Sequence, residues 1–524
     1  MKKPNLNLPL PLKENYVGFY RRILITIFCL VFFLEMAGGI YYGYFQQIVL
    51  NDAFSRTANA YYVLFIKPVR FASIGLVWNP LPSVLQLPFV VFAKVWKPMV
   101  TNGISAALVT SAFAAGSCVL LYRAFLRYKI SKFKAIILLV LYGSNPFIFF
   151  YGFNGMSEMI IFYMIIYVVL CLTLWIHEGT PSYIMKIGLT LALAFYCRYE
   201  AIPFAAAVGV GVLIIIFFST KEKQFIPPSN RKERYFYAEG TGIILYTPLL
   251  YAIFVWIIFN WVINGNPLYF LNSAYSNSSQ SQYAAFVGTP LTAFFYVLNK
   301  SLPFLPVFMA IIIVRIINRR LLKSDFLILL CLVATMILFH FLMLLIGNSF
   351  GWLRFFAYAL PICMAWLPYE LSQVKNKVKQ TLVFVILAFS LLVSSILTGY
   401  YLASPELSPE EHNLIISSES RQVAEYINNN LQDELILVDS FLTGGVVLNI
   451  DNIDNIVTSA SLNFYDVVDN PRKYGITYIL VPDQSGIGHL DAINSKYPNL
   501  YANNVDWCVE VKDFDGYRLF KVIY

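Results

Sequence analysis

The chain has 524 residues, of which 58% are hydrophobic, 17% aromatic and only 13% charged, with a mean hydropathy of +0.64. A soluble globular protein carries about 25% charged residues, so this deficit excludes a soluble enzyme and places most of the chain in a bilayer. The formal charge of +9 is informative through its distribution along the chain rather than its sum, and no nucleic-acid partner is expected.

The N-terminal stretch MKKPNLNLPLPLKENYVGFYRR is too long and too polar ahead of its apolar run for a cleaved signal peptide. Residues 23–45 read as a retained first span. A span needs roughly 20 apolar residues, and further candidates are 101–122, 135–151, 157–176, 183–197, 201–219, 240–263, 291–314, 325–346, 355–371 and 380–402. The sequence thus predicts a polytopic α-helical membrane protein with about eleven spans. The stretch PLPSVLQLPFVVFAKVW (80–96) is apolar but proline-rich. If it does not cross, the basic loops 123–134, 221–234, 315–323 and 373–379 share a side with the basic N-terminus, as the positive-inside rule requires. It therefore reads as an interfacial helix within a long first external loop, 46–100.

On this topology the N-terminus is cytoplasmic and the C-terminal tail extracytoplasmic in a multi-pass protein of the cell membrane. The transmembrane unit is 1–402. The tail, 403–524, reads as a small α/β domain: a helix at 419–431 and strands at 435–440, 476–483, 507–514 and 517–524. LTGGVVL (442–448) lacks the spacing of a phosphate-binding glycine loop. No internal repeat of the kind seen in inverted-repeat transporters is evident. The seven cysteines form no CxxC pair, and the four histidines (177, 340, 412, 489) show no metal-ligand spacing.

The ionisable residues at span ends fall on one side, the external one. They are Asp52 and Arg56 in IVLNDAFSRTANAYYVLF (48–65), Glu158 in YGFNGMSEM (151–159), Arg198 and Glu200 in CRYEAIP (197–203), and Arg354 in GNSFGWLRFFAYALP (347–361). Each has an ordinary structural reading. Asp52 caps a helix starting at Ala53, Arg56 is its i+4 partner, and Glu158 favours a helix dipole. Arg198 and Glu200 pair with each other or with lipid headgroups, and Arg354 snorkels. Glu35 lies inside the first span and needs a buried partner. Charges near hydrocarbon usually face a bundle interior or a water-filled cavity. Their common side makes them candidates for a site handling a phosphate and a hydroxyl-bearing substrate. The polar loop 264–290 suits sugar hydroxyls and equally reads as a flexible loop.

The order of motifs resembles the GT-C superfamily of membrane glycosyltransferases, in the group related to protein O-mannosyltransferases and lipid A aminoarabinose transferases. The residues that carry it are NDAF (51–54), WNPLPSVLQLPF (78–89), LLYRAFLR (120–127), YGSNPFIFFYGFNGMSEMIIF (142–162), CRYEAIP (197–203) and WLRFFAYALP (352–361). It covers roughly residues 20–402. NPLP stands where many relatives have a Pro-Pro pair, and a single Asp where some have an acidic pair.

The resemblance implies transfer of a sugar from a polyprenyl-phosphate donor to a lipid, glycan or protein acceptor at the outer face, with inversion. Asp52 is then the catalytic base, and Arg354 and Arg198 bind the donor phosphate. Glu158, Glu200, Arg56 and Asn154 line the sugar and acceptor pocket. No cofactor is required, and a divalent metal in the first external loop is left open. A polymerase or ligase of cell-surface polysaccharide, a transporter or flippase, and a non-catalytic scaffold are the competing readings.

Overall fold

The computed structural model describes residues 14–218, 228, 230–281, 283, 288–321, 323–412, 415, 416, 418–503 and 505–524. The polar N-terminal stretch before residue 14, most of the basic loop 221–234 and part of loop 264–290 lie outside them.

Every predicted span is helical. The first is α1 (Glu14–Ile40), running on as a π-helical turn to Phe45. A two-residue strand, β1 (Ile48–Val49), leads into α2 (Asn51–Phe65). Short helical pieces cover Leu81–Val84, Leu87–Val90 and Val91–Lys94, so the proline-rich stretch is a broken helix. Prolines near the starts of the first two pieces are compatible with a helix's first turn but not its interior. Then follow α3 (Ile104–Arg127), α4 (Lys132–Gly143), α5 (Pro146–Phe153), α6 (Glu158–Glu178), α7 (Pro181–Cys197), α8 (Ala201–Phe218) and α9 (Arg231–Asn264). The bundle ends with α10 (Pro290–Ser301), α11 (Pro306–Ile317), α12 (Ser324–Leu345), α13 (Ala359–Ser372) and α14 (Lys377–Ala403).

Seven of these helices are long and apolar enough to cross a membrane, or nine if each of two bent pairs counts as one span, among the described residues. The chain is an integral membrane protein. The expected eleven spans differ from this number for three physical reasons. The segment 135–151 is broken between α4 and α5 by 69°. There Asn145 caps α5, accepting from the N–H of Phe147 and Ile148, and Pro146 removes a helical donor. The segment 291–314 bends by 78° at the LPFLP sequence before α11. Finally, α7 (17 residues) and α13 (14 residues) are too short to cross unaided. Nearly all of α13 is buried inside the bundle.

Helices approach closely where a side chain is absent. A Cβ on Gly188 of α7 would lie 2.6 Å from the Leu245 carbonyl oxygen and 2.9 Å from that of Ile244, both in α9. A buried ionic network joins α11, α12 and α13. Arg315 donates to Asp325 at 3.2 Å and to Glu370 at 2.9 Å, and the Tyr369 hydroxyl donates to Asp325 at 2.8 Å. Burial of such charges is tolerated only because each finds its counter-charge.

Beyond α14 come α15 (Pro409–His412), β2 (Ile415–Ile416), α16 (Ser418–Asn430), β3 (Ile436–Val438), α17 (Ser440–Asn449), β4 (Ile456–Val457), β5 (Tyr478–Pro482), β6 (Cys508–Phe514) and β7 (Tyr517–Val522). The last five strands form one sheet, ordered β4-β3-β5-β7-β6. Strands β4, β3 and β5 run parallel, and β7 and β6 complete the sheet antiparallel. The four expected strands and the expected helix are present; β4 is additional. LTGGVVL lies in α17, not in a phosphate loop. The apolar core of the bundle continues through α2 into α16, α17 and one face of the sheet. A separate core covers the other face. Strand β1 pairs antiparallel with β2, Ile48 opposite Ile416 and Val49 opposite Ile415. That clip ties the entry of α2 to the chain just past α15.

Replacing Gly188 by Ala pushes α7 off α9, because backbone carbonyls cannot rotate away as a side chain could. We expect a loss of about 1–3 kcal/mol, read as a lowered Tm of the detergent-solubilised protein.

Candidate active site

The charged residues at helix ends meet around one guanidinium. Arg354 lies in the short 3₁₀ turn Leu353–Phe356, which Gly351 enters at φ +68°. Its Nη2 donates to Asp52 Oδ2 at 2.7 Å and contacts Glu410 Oε1 at 2.9 Å, and its Nη1 donates to Glu158 Oε1 at 2.9 Å. The guanidinium plane lies over Trp352 (4.7 Å) and Phe355 (5.1 Å), which adds cation–π attraction in a desolvated setting. Arg354 is thus held in place by three carboxyls and two rings.

Asp52 sits in the first turn of α2. It does not cap the helix: Leu50 occupies the cap position, with no side-chain cap bond. The expected i+4 pair with Arg56 does not form among the described contacts either; Asp52 reaches across 302 residues to Arg354 instead. Its side chain remains 46% exposed while that of Arg354 is 2% exposed. Burial alone would raise the Asp52 carboxyl, but the Arg354 and Arg56 guanidiniums override it and hold the carboxylate below its ordinary value. The ionised form therefore persists through the neutral range and is lost only as pH falls through that lowered value.

Glu158 opens α6 behind a turn at Gly155 (φ +80°). A Cβ on Gly155 would meet Ala106 of α3 at 2.6 Å and Ala53 of α2 at 3.3 Å. Only glycine lets the turn pass so close to α2. One oxygen of Glu158, Oε1, accepts from both Arg354 and Arg198; the other has no hydrogen-bond partner. Arg198, just past α7, also donates to Ser157 at 3.1 Å and to Glu200 at 2.6 Å. Burial would raise Glu200; Arg198 overrides it and holds the carboxyl at about 2.

Arg56 is buried, lies 5.4 Å over Trp78, and has neither an ion-pair nor a hydrogen-bond partner among the described contacts. Asn154 stays outside the ion pairs. Its Oδ1 accepts from the N–H of Met156 and its Nδ2 has no partner. It lines a small cavity with Leu50, Gly43 and Phe153. Glu35 is buried against Gly152 with Oε2 unpartnered, and it joins no ion pair among the described residues.

Sequence reading missed Glu410 and Glu411, which it placed in the polar tail. The Glu411 carboxylate accepts from the Tyr151 hydroxyl at 2.7 Å. The signal was the acidic pair in SPEEH (408–412), immediately past the last span. His340 was also passed over. It stacks between Phe355 and Tyr358 at 5.4 and 5.7 Å, on the ring that carries Arg354.

Among the described residues no group of three or more His, Cys, Asp or Glu is arranged to hold a metal ion. Of the carboxylate oxygens, Asp52 Oδ2, Glu158 Oε1 and Glu410 Oε1 face guanidiniums.

A solved structure of similar fold is ArnT from Cupriavidus metallidurans, bound to undecaprenyl phosphate. It has a TM-score of 0.55 and 9% sequence identity, covering 97% of this chain and 98% of that one. No family model and no curated protein matches the sequence. The two chains share one fold over nearly their whole lengths, the fold that the order of motifs implied.

Glu158 is the anion shared by two guanidiniums. Glu158→Gln leaves Arg198 with Glu200 and Arg354 with Asp52 and Glu410, but removes the charge that joins them. The expected cost is about 3 kcal/mol, seen as a drop in Tm larger than that of Glu200→Gln.

Proposed function

We propose that the protein is a glycosyltransferase that moves a sugar from a polyprenyl-phosphate donor to an acceptor hydroxyl at the outer face of the membrane. The single observation that carries this reading is the contact between Asp52 and Arg354 within a fold of the ArnT kind. An accessible carboxylate is held ionised against a buried guanidinium at the ends of membrane helices. A base beside a fixed cation is what displacement at an anomeric carbon with a phosphate leaving group needs.

In this reading Asp52 takes the proton of the acceptor hydroxyl as that oxygen attacks the anomeric carbon. The bond from that carbon to the phosphate oxygen breaks, and its electron pair leaves with the carrier. Attack opposite the leaving group inverts the anomeric centre. Arg354 balances the charge growing on the phosphate; its planar fork binds two oxygens and stays charged. Arg198, anchored by Glu158 and Glu200, is the second phosphate ligand. Arg56 brings positive charge that no carboxylate in contact offsets. Glu158, Glu200 and Asn154 line the sugar and acceptor pocket. The polar C-terminal segment lies on the same, extracytoplasmic side, and the N-terminus is cytoplasmic.

The test is transfer from a panel of polyprenyl-phosphate sugars by the full chain in liposomes. Asp52→Asn keeps the shape and removes the base; Arg354→Lys keeps the charge and removes the fork. Both variants should insert normally and lose at least about 10²-fold in kcat. Undiminished transfer by Asp52→Asn overturns the assignment.

A further inference from the structure

The chain beyond the last span contributes a carboxyl group to the centre of the candidate site. Glu410 Oε1 and Asp52 Oδ2 contact the same nitrogen, Nη2 of Arg354, at 2.9 and 2.7 Å. The two oxygens therefore lie within about 6 Å of each other, the scale of a single bound phosphate or sugar hydroxyl. The other oxygen of Glu410, Oε2, is buried without a hydrogen-bond partner, as is Oε2 of Glu158.

The segment carrying Glu410 is fixed on all sides. The neighbouring Glu411 is held by Tyr151 of α5 at 2.7 Å. Lys300 of α10 donates to the Leu407 carbonyl, and the Ser408 hydroxyl donates to that of Tyr401 at 2.9 Å. Past the helix, β2 is clipped to β1. Glu410 is thus placed by contacts that do not involve Arg354, and it is not simply captured by a stray charge.

Charge decides the form it takes. The carboxyls gathered here are Asp52, Glu158, Glu200, Glu410 and Glu411; the facing cations are Arg56, Arg198 and Arg354, with Lys300 near enough for its charge to act on Glu411. With every carboxyl ionised the recess is net negative and repels a phosphate. Burial, together with the nearby Asp52, Glu411 and Glu158, pushes Glu410 well above its ordinary value despite Arg354, while Asp52 is held low. Paired carboxyls driven apart in this way divide into an acid and a base.

The geometry points to Glu410 as the neutral carboxyl of the reaction centre, which donates a hydrogen bond to the carrier phosphate beside Arg354 and gives it a proton as it departs. This rests on the transferase reading. In the transfer step the acceptor oxygen bonds to the anomeric carbon and its proton passes to Asp52. The carbon–oxygen bond to phosphate breaks, and the phosphate oxygen takes the electron pair and the Glu410 proton. A proton moving from Asp52 to Glu410 resets the pair.

The phosphate half can be tested without knowing the sugar. Binding of undecaprenyl phosphate to the full chain in detergent is measured at pH 7 for the wild type, Glu410→Gln and Glu410→Met. The side-chain amide of Glu410→Gln keeps a hydrogen-bond donor, whereas Glu410→Met fills much the same space without one. Glu410→Gln should bind about as tightly as the wild type, and Glu410→Met about tenfold more weakly, the scale of one lost hydrogen bond to a charged group. Binding by Glu410→Met as tight as that of the wild type or tighter, as expected if an ionised Glu410 repelled the phosphate, overturns the inference while leaving the transferase reading intact. Wild-type binding of undecaprenyl phosphate no tighter than that of undecaprenol fails the transferase reading itself.

Discussion

Charge is expensive next to hydrocarbon, and at two places this chain offsets that cost by gathering buried ions into a network. Arg354 is the clearest instance. It is 2% exposed, yet its guanidinium meets carboxyls from α2, α6 and the segment after α14. Remove the guanidinium and these segments repel one another; remove the carboxyls and an arginine is stranded away from water. At the other end of α6, about 30 Å away by helical rise, Arg127 pairs with Glu178. Arg315 gathers Asp325 and Glu370 by the same logic. The second network is fully enclosed, with both Arg315 and Asp325 at 0% exposure, and it staples helices. The first leaves one carboxylate, that of Asp52, within reach of solvent. That difference in access separates a site from a staple.

The backbone brings these groups together through small residues and breaks rather than through long straight helices. Gly155 allows the turn before Glu158 to pass against α2 and α3. The bend at Asn145 and Pro146 turns α5 back so that Tyr151 reaches Glu411. Asn145 also accepts from the hydroxyl of Thr398 in α14, so one side chain both caps a helix and fixes the bend to the last span. Aromatic rings supply the floor: Trp352 and Phe355 under Arg354, Phe355 near Arg198 and Trp78 under Arg56.

What was legible in the sequence is what depends on local pattern. Apolar runs revealed the helices, and the strands at residues 436–438, 478–482, 508–514 and 517–522 showed in their β-branched and aromatic content. Asp52, Glu158, Arg198, Glu200 and Arg354 stood out because charges at span ends are few. What was not legible depends on tertiary neighbours. Helix–dipole and capping rules predicted local partners for Asp52, whereas its partner is 302 residues away. Glu410 looked like one acid among many in a polar tail, because nothing local marks a tail residue as folding back onto the bundle. The segments of α7 and α13 were already short as apolar runs, at 183–197 and 355–371, but hydropathy alone counts them as spans, because a helix buried by protein is as apolar as one facing lipid.

The pairing of Asp52 with Arg354 also has a consequence in time. Synthesis proceeds at about 5–20 residues per second, so some 300 residues of chain separate the appearance of the acid from that of its cation by roughly 15–60 s. Throughout that interval the Asp52 carboxylate of α2 lacks the cation it hydrogen-bonds in the finished fold, and the first loop has reason to stay hydrated at the bilayer surface. The ribosome has still to deliver residue 410 before the cluster closes, so this set of ion pairs matures among the last events of biogenesis, after the helices around it are already inserted.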